Sequence, residues 1–146
     1  MTKTNSFSKA EHLCGEKRIA ELYTKGDAFI VYPIRVVYKI SPREEEVAAR
    51  AMVSVPKKRF KRAVKRNRIK RLLRESYRLN KMELFTLLEG TKLQIFIAFN
   101  YVSDEEMDFF TIEKKMKIAL AKLADKIKLT SQKTIILTDE VAEIKN

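Results

Sequence analysis

The chain has 146 residues, 45% hydrophobic and 34% charged, which suits one domain with a proper core and excludes wholesale disorder. A single cysteine, Cys14, excludes an internal disulfide, and a single histidine, His12, excludes the common zinc spacings. Lysine and arginine number 31 against 19 acids, a net charge of +12 that points to a polyanionic partner.

Ser8-Lys9-Ala10-Glu11 matches a capping box, and a short turn of helix is expected from there to Cys14, interrupted at Gly15. A helix follows over Glu16–Lys25, with Ile19, Leu22 and Tyr23 on one face and Gly26 as its stop. Phe29–Ile40 reads as one strand whose apolar face is Ile30, Tyr32, Ile34, Val36, Tyr38 and Ile40. The other face, with Arg35, Val37 and Lys39, is mixed and suits a binding surface or a second partly buried layer. Pro33 argues against a central, fully paired position at that point.

Val47–Val55 alternates as a second strand, expected to form an antiparallel hairpin with the first across the polar Ser41–Glu46 connection. A basic helix then runs to about Lys81, and Leu93–Phe99 alternates as a third strand. Ser103-Asp104-Glu105-Glu106 repeats the capping-box pattern ahead of a helix carrying Phe109, Ile112, Met116, Ala119, Leu120, Leu123 and Ile127 at helical spacing. Residues 130–146 carry weaker signals: Thr134–Leu137 fits a small strand, or the segment is a mobile tail to a domain spanning residues 1–129. The order is α-β-β-α-β-α, an α+β single domain with one mostly antiparallel sheet. The strands flanking the basic helix are free to run parallel, with that helix as a crossover that ordinary chirality would make right-handed.

Twelve of the basic residues lie between Lys57 and Arg78 against one acid, Glu75, a local balance of +11; the remaining 19 bases and 18 acids nearly cancel. One acid cannot pair twelve bases, and like charges at i,i+4 repel, so a solvated salt-bridged face does not account for the run. A nucleic-acid backbone fits best. An anionic membrane surface would call for bulky apolar residues opposite the charges, and no stretch approaches 18 apolar residues. Met1–Lys9 has no apolar signal region, so the expected compartment is the cytoplasm.

Within that helix Ile69, Leu72, Leu73, Ser76 and Tyr77 share one arc, while Arg66, Asn67, Lys70, Arg71, Arg74 and Arg78 are expected on the opposite one. Guanidinium groups make bidentate contacts with phosphate oxygens, and Asn67 adds a donor–acceptor pair for a base edge or a sugar hydroxyl. Catalytic chemistry is thin. His12 reads as a surface or cap residue. The acids at Glu44–Glu46 and Asp104–Asp108 read as loop and helix-cap residues rather than Mg2+ ligands, so no catalytic or metal residue is assigned.

Ala63-Val64-Lys65-Arg66-Asn67-Arg68-Ile69-Lys70-Arg71-Leu72-Leu73-Arg74-Glu75, preceded by Val53-Ser54-Val55-Pro56-Lys57-Lys58, resembles the bacterial ribonuclease P protein subunit, over about residues 7–128. Ile19, Lys61 and Pro56 depart from that family's usual aromatic, glycine and serine. The resemblance implies a protein that binds a catalytic RNA and assists removal of 5′ leaders from precursor tRNA, with Mg2+ held mainly by the RNA. It implies RNA contacts at Arg66, Asn67, Arg68, Lys70, Arg71 and Arg74, to which the basic run itself adds Lys57, Lys58, Arg62, Lys65 and Arg78 as expected RNA-binding residues. It implies a leader cleft at Ile19, Tyr23, Arg35 and Val37, where stacking on a ring would hold unpaired bases. It also implies a left-handed crossover through the basic helix, against the general rule. The rival reading is a ribosomal or other nucleic-acid-binding protein with a helix-turn-helix around Gly15. In that case the second helix should be basic, yet Glu16–Lys25 is nearly neutral. The partners expected are the catalytic RNA and precursor tRNA, with no DNA and no membrane.

Overall fold

A computed structural model describes residues 6–145, with side chains described through Lys133. In chain order it contains a single 3-10 turn at Lys9–Glu11, then α1 (Glu16–Lys25), β1 (Asp27–Val31), β2 (Ile34–Pro42) and β3 (Ala49–Ser54). The basic helix α2 (Ala63–Asn80), α3 (Met82–Glu89), β4 (Leu93–Tyr101) and α4 (Phe109–Lys145) follow. One four-stranded sheet runs in the order β1-β2-β4-β3, antiparallel except for the β3–β4 pair. The expected α+β class holds, with one strand and one helix beyond the expected order.

The expected single strand at Phe29–Ile40 is two strands. The chain turns at Tyr32-Pro33, whose peptide bond is cis, and folds back on itself. The two-residue turn pairs Val31 with Ile34 and Phe29 with Val36, so odd positions of β1 share a face with even positions of β2. Ile34, Val36 and Tyr38 are buried as expected, whereas Ile30 lies on the opposite face and is exposed. The expected hairpin between the first two strands is also overturned. β4, last in sequence, inserts between β2 and β3, pairing Val36 with Phe99 on one side and Ala51 with Ile97 on the other. A strand buried on both faces needs a near-continuous apolar run, which Leu93-Gln94-Ile95-Phe96-Ile97-Ala98-Phe99 supplies.

The larger core lies on the face shared by Val36, Tyr38, Ile95, Ile97 and Phe99, covered by α2, α3 and α4. Ile69, Leu73, Ser76 and Tyr77 of α2 are buried there, with Leu72 at the margin. A smaller core on the other face joins Leu22 of α1 and Leu13 to Val37 and Ala98. Gly26 ends α1 at an ordinary φ of −80°, so its role is space rather than a left-handed turn. A Cβ there would stand 2.4 Å from the Leu22 carbonyl oxygen and 2.7 Å from that of Tyr38.

The Ser8–Glu11 capping box forms, but the helix-turn-helix alternative does not. Past the 3-10 turn the chain is extended along the outer edge of β3, with the Leu13 amide donating to the Ala51 carbonyl at 2.9 Å. This arm is held from the far side by Lys81, only 2% exposed, whose ammonium donates to the Ser6 carbonyl and the Glu11 carboxylate. Asp108 rather than Ser103 caps α4, accepting from the Thr111 amide at 2.9 Å. Thr134–Leu137 continue α4 instead of adding a strand.

Candidate nucleic-acid interface

The lead-in to α2 is a turn in which the Arg59 amide donates to the Pro56 carbonyl at 3.2 Å, leaving Lys57 and Lys58 exposed. Phe60 is buried beside Tyr101, with ring centroids 6.0 Å apart, and anchors this segment to the end of β4. The Arg59 guanidinium meets Asp104 at 3.0 Å. A basic loop is thus fastened to the domain by one apolar plug and one ion pair.

Arg62 at the N-cap of α2 and Lys65, Asn67, Arg68, Arg71 and Arg74 along it are exposed, and Lys70 is half-buried. Arg68 approaches Glu106 at 3.8 Å but remains 71% exposed. Arg78 is held against Glu75 by a hydrogen bond of 3.0 Å from Nε, which raises its pKa and holds the Glu75 carboxyl below its ordinary value. Among the described residues no carboxylate pairs with Lys65, Lys70, Arg71 or Arg74. Lys70, Arg71 and Arg74 with Asn67 form a cationic row on the outward face of the helix, poised for phosphate oxygens, while Lys65 is exposed at the helix start.

Arg66 departs from its expected place on that row. It lies three residues before Ile69 and seven before Leu73, which puts it on the inward phase of the helix. Its guanidinium turns back to donate to the carbonyls of Phe60 and Lys61, each at 2.8 Å. Arg66 therefore splints the lead-in loop to the helix.

The residues expected to line a leader cleft sit on the opposite face of the sheet. Strand register aligns Ile30, Arg35, Asn100 and Ser54 in a row across all four strands at the end that α1 leaves uncovered. Tyr23, 41% exposed, reaches this row from α1, and its hydroxyl donates to Asn100 Oδ1 at 2.7 Å. Partial burial raises the Tyr23 pKa. Arg35 is exposed beside it. Val37, by contrast, is 3% exposed beneath Leu22, and Ile19 packs partly against the same small core. Of the four expected cleft residues, Tyr23 and Arg35 come together at an accessible surface, while Val37 and Ile19 support it from below. Asn100 was not expected. A lone Asn in an apolar alternation carries no signal until the register of β2 against β4 is known.

Glu45 ties this layer together, accepting from Arg50 on β3 and Arg18 on α1. Those contacts, Arg50 foremost, hold its carboxyl below the ordinary value. Among the described residues no three His, Cys, Asp or Glu side chains are placed to hold a metal ion. No helix among them is long and apolar enough to cross a membrane.

A mostly antiparallel α+β sheet carrying an arginine-rich helix on one face and exposed Tyr23 and Arg35 on the other is the build of an RNA-binding protein. Residues 7–124 match the family described as Ribonuclease P. The Ribonuclease P protein component of Porphyromonas gingivalis is 45% identical over 124 residues, covering 85% of this chain and 90% of that protein. Its counterpart in Chlorobium phaeobacteroides is 34% identical over 105 residues, covering 65% and 72% respectively. Among solved structures, the RNase P protein of Staphylococcus aureus shares the fold with a TM-score of 0.58 at 23% identity, covering 80% of this chain and 96% of that one. A Staphylococcus aureus RNase P protein mutant described as having defective mRNA degradation activity gives a TM-score of 0.60, also at 23% identity, covering 80% and 90%. The chain belongs to the ribonuclease P protein family, the protein subunits of a ribonucleoprotein endoribonuclease that processes tRNA.

Proposed function

We propose that this protein binds the catalytic RNA of ribonuclease P through the outer face of α2 and the 5′ leader of precursor tRNA through the cleft beside α1. The observation that carries this reading is the row of Asn67, Lys70, Arg71 and Arg74, cationic apart from its amide and without a carboxylate partner among the described residues. Arginine forks suit phosphate oxygens, Asn67 suits a base edge or a ribose hydroxyl, and Lys57, Lys58, Arg62, Lys65 and Arg68 extend the same field toward the helix start.

In the cleft, Tyr23 supplies a ring for an unpaired base and Arg35 a cation for the adjoining phosphate. The two faces divide the work: one fixes the subunit on the RNA, the other tells a leader-bearing precursor from mature tRNA. Hydrolysis of the leader is assigned to the RNA with its Mg2+, and no step is routed through a metal on this chain, whose described residues form no ligand cluster. The compartment proposed is the cytoplasm, where precursor tRNA is made.

The test is reconstitution. Protein, catalytic RNA and a 5′-extended precursor tRNA are mixed at low Mg2+, and mature 5′ ends should appear far faster than without protein. The purified protein alone should cleave nothing. RNA-free cleavage that survives nuclease-contamination controls overturns the reading.

A further inference from the structure

α1 brings one aromatic ring, Tyr23, to this face of the sheet. Ile19, one helical turn before Tyr23, carries no ring and is partly buried against the small core. A base held by stacking at α1 therefore depends on the plane of a single ring, joined to its helix by two rotatable bonds and open to solvent over two-fifths of its surface (41%). What holds that plane is a tether at the far end of the ring. The Tyr23 hydroxyl donates to Asn100 Oδ1 at 2.7 Å, and Asn100 Nδ2 donates to the Arg35 carbonyl at 3.3 Å. The second bond settles the orientation of the amide, since only its NH2 can donate to a carbonyl and its oxygen must then face the hydroxyl.

We propose that Asn100 is a positioning residue for the precursor leader, fixing the Tyr23 ring at the angle from which it stacks on an unpaired base and locking it to the strand that carries Arg35. This rests on the reading of Tyr23 and Arg35 as leader contacts. A tethered ring is pre-organised; an untethered one samples other rotamers, and the base must order it on binding. Asn is suited to the task. It accepts from the hydroxyl and donates to the backbone while adding no negative charge beside a phosphodiester chain, as Asp would. Its place in the row Ile30–Arg35–Asn100–Ser54, hydrogen-bonded into the sheet on both sides, makes it a rigid support.

The experiment uses the reconstituted holoenzyme and compares affinities for precursor and mature tRNA, alongside each variant's melting temperature. Tyr23→Phe removes the hydroxyl and keeps the ring; Asn100→Ala removes its partner. Each should weaken precursor binding about three- to tenfold relative to mature tRNA, the range expected for one lost neutral hydrogen bond. The double variant should fall no further than either single one, because both remove the same tether. Additive losses overturn the proposal, as does a parallel loss for both ligands with a lowered melting temperature, which would make the bond mere docking of α1. Tyr23→Ala separates the levels. If it abolishes discrimination while Asn100→Ala behaves as the unaltered protein, the positioning role fails and the leader reading stands. If Tyr23→Ala leaves discrimination intact, the leader reading fails and the positioning role with it.

Discussion

The guanidinium of Arg66 donates to the backbone carbonyl of Phe60 at 2.8 Å, six residues back along the chain, and so welds a basic loop to the helix that follows it. Arg66→Ala should lower stability by about 1–3 kcal/mol, since it leaves the Phe60 and Lys61 carbonyls without a charged donor. Both bonds leave one nitrogen, Nη1, and an ammonium has donors enough for the same pair, so Arg66→Lys should restore part of the loss. Chemical denaturation measures the loss, and an unchanged midpoint would show that the splint is dispensable.

Arg71 and Arg74 face outward, and replacing either with Ala should leave the melting temperature nearly level. Affinity for the catalytic RNA should fall, and each lost phosphate contact should flatten the dependence of log affinity on log salt by about one unit. Arg78→Ala should do less, as its charge is already held by Glu75. A steep fall in melting temperature with RNA affinity retained would mean the outward assignment is reversed.

Gly26→Ala should destabilise the fold by about 1–3 kcal/mol, the range for forcing a methyl into packed surroundings. Both atoms it would strike are backbone carbonyl oxygens, of Leu22 and Tyr38, so neither can swing away. Gly15 makes the contrasting control. Nothing lies within 4 Å of a Cβ there, and its cost comes from a φ of +97° instead. Equal stability of Gly26→Ala and the unaltered protein in urea would refute the close approach.

Glu45 predicts part of the acid limb of the stability curve. Its carboxyl titrates below the ordinary 4.5 in the fold, mainly through its bond from Arg50 and also through Arg18. The unfolded chain therefore takes up the proton first, and the contribution is complete above about pH 4.5 and lost as the pH falls through the lowered folded value. Unfolding midpoints from pH 7 down to pH 3 should show the unaltered protein losing its advantage over Glu45→Gln across that acid range. A constant difference between the two would overturn the assignment.

Much of this was legible in the residues. The period of Ile69, Leu73 and Tyr77 located the buried stripe of α2, and the alternation of Leu93, Ile95, Ile97 and Phe99 located the central strand. What failed was pairing. Proximity in sequence favoured a hairpin between Phe29–Ile40 and Val47–Val55, but alternation reports a face, not a neighbour, and both partners of β4 lie far from it along the chain. Pro33 argued only against a fully paired position there, and the turn it makes, which inverts the facing of Ile30, depends on the register. The site split in the same way. The charge of α2 needed only counting, whereas the facing of Arg66, the burial of Val37 and the meeting of Tyr23 with Asn100 depend on three-dimensional placement.

The central strand is also the last strand to be made. β3 has no sheet partner until β4 exists, since Ala49 waits for Ile95 and Ser54 for Asn100. During synthesis only the β1–β2 hairpin has both halves available, and the arm that docks at Ala51 has no completed sheet to dock on. Non-local pairing of this kind is slow, and the intermediates before it expose apolar surface. Ribosome-bound chains ending short of Leu93 should therefore display Ile69, Leu73 and Tyr77 on a free cationic helix, a target for chaperones and for stray RNA alike. Closure of the sheet would register as one late event, once Tyr101 has cleared the exit tunnel.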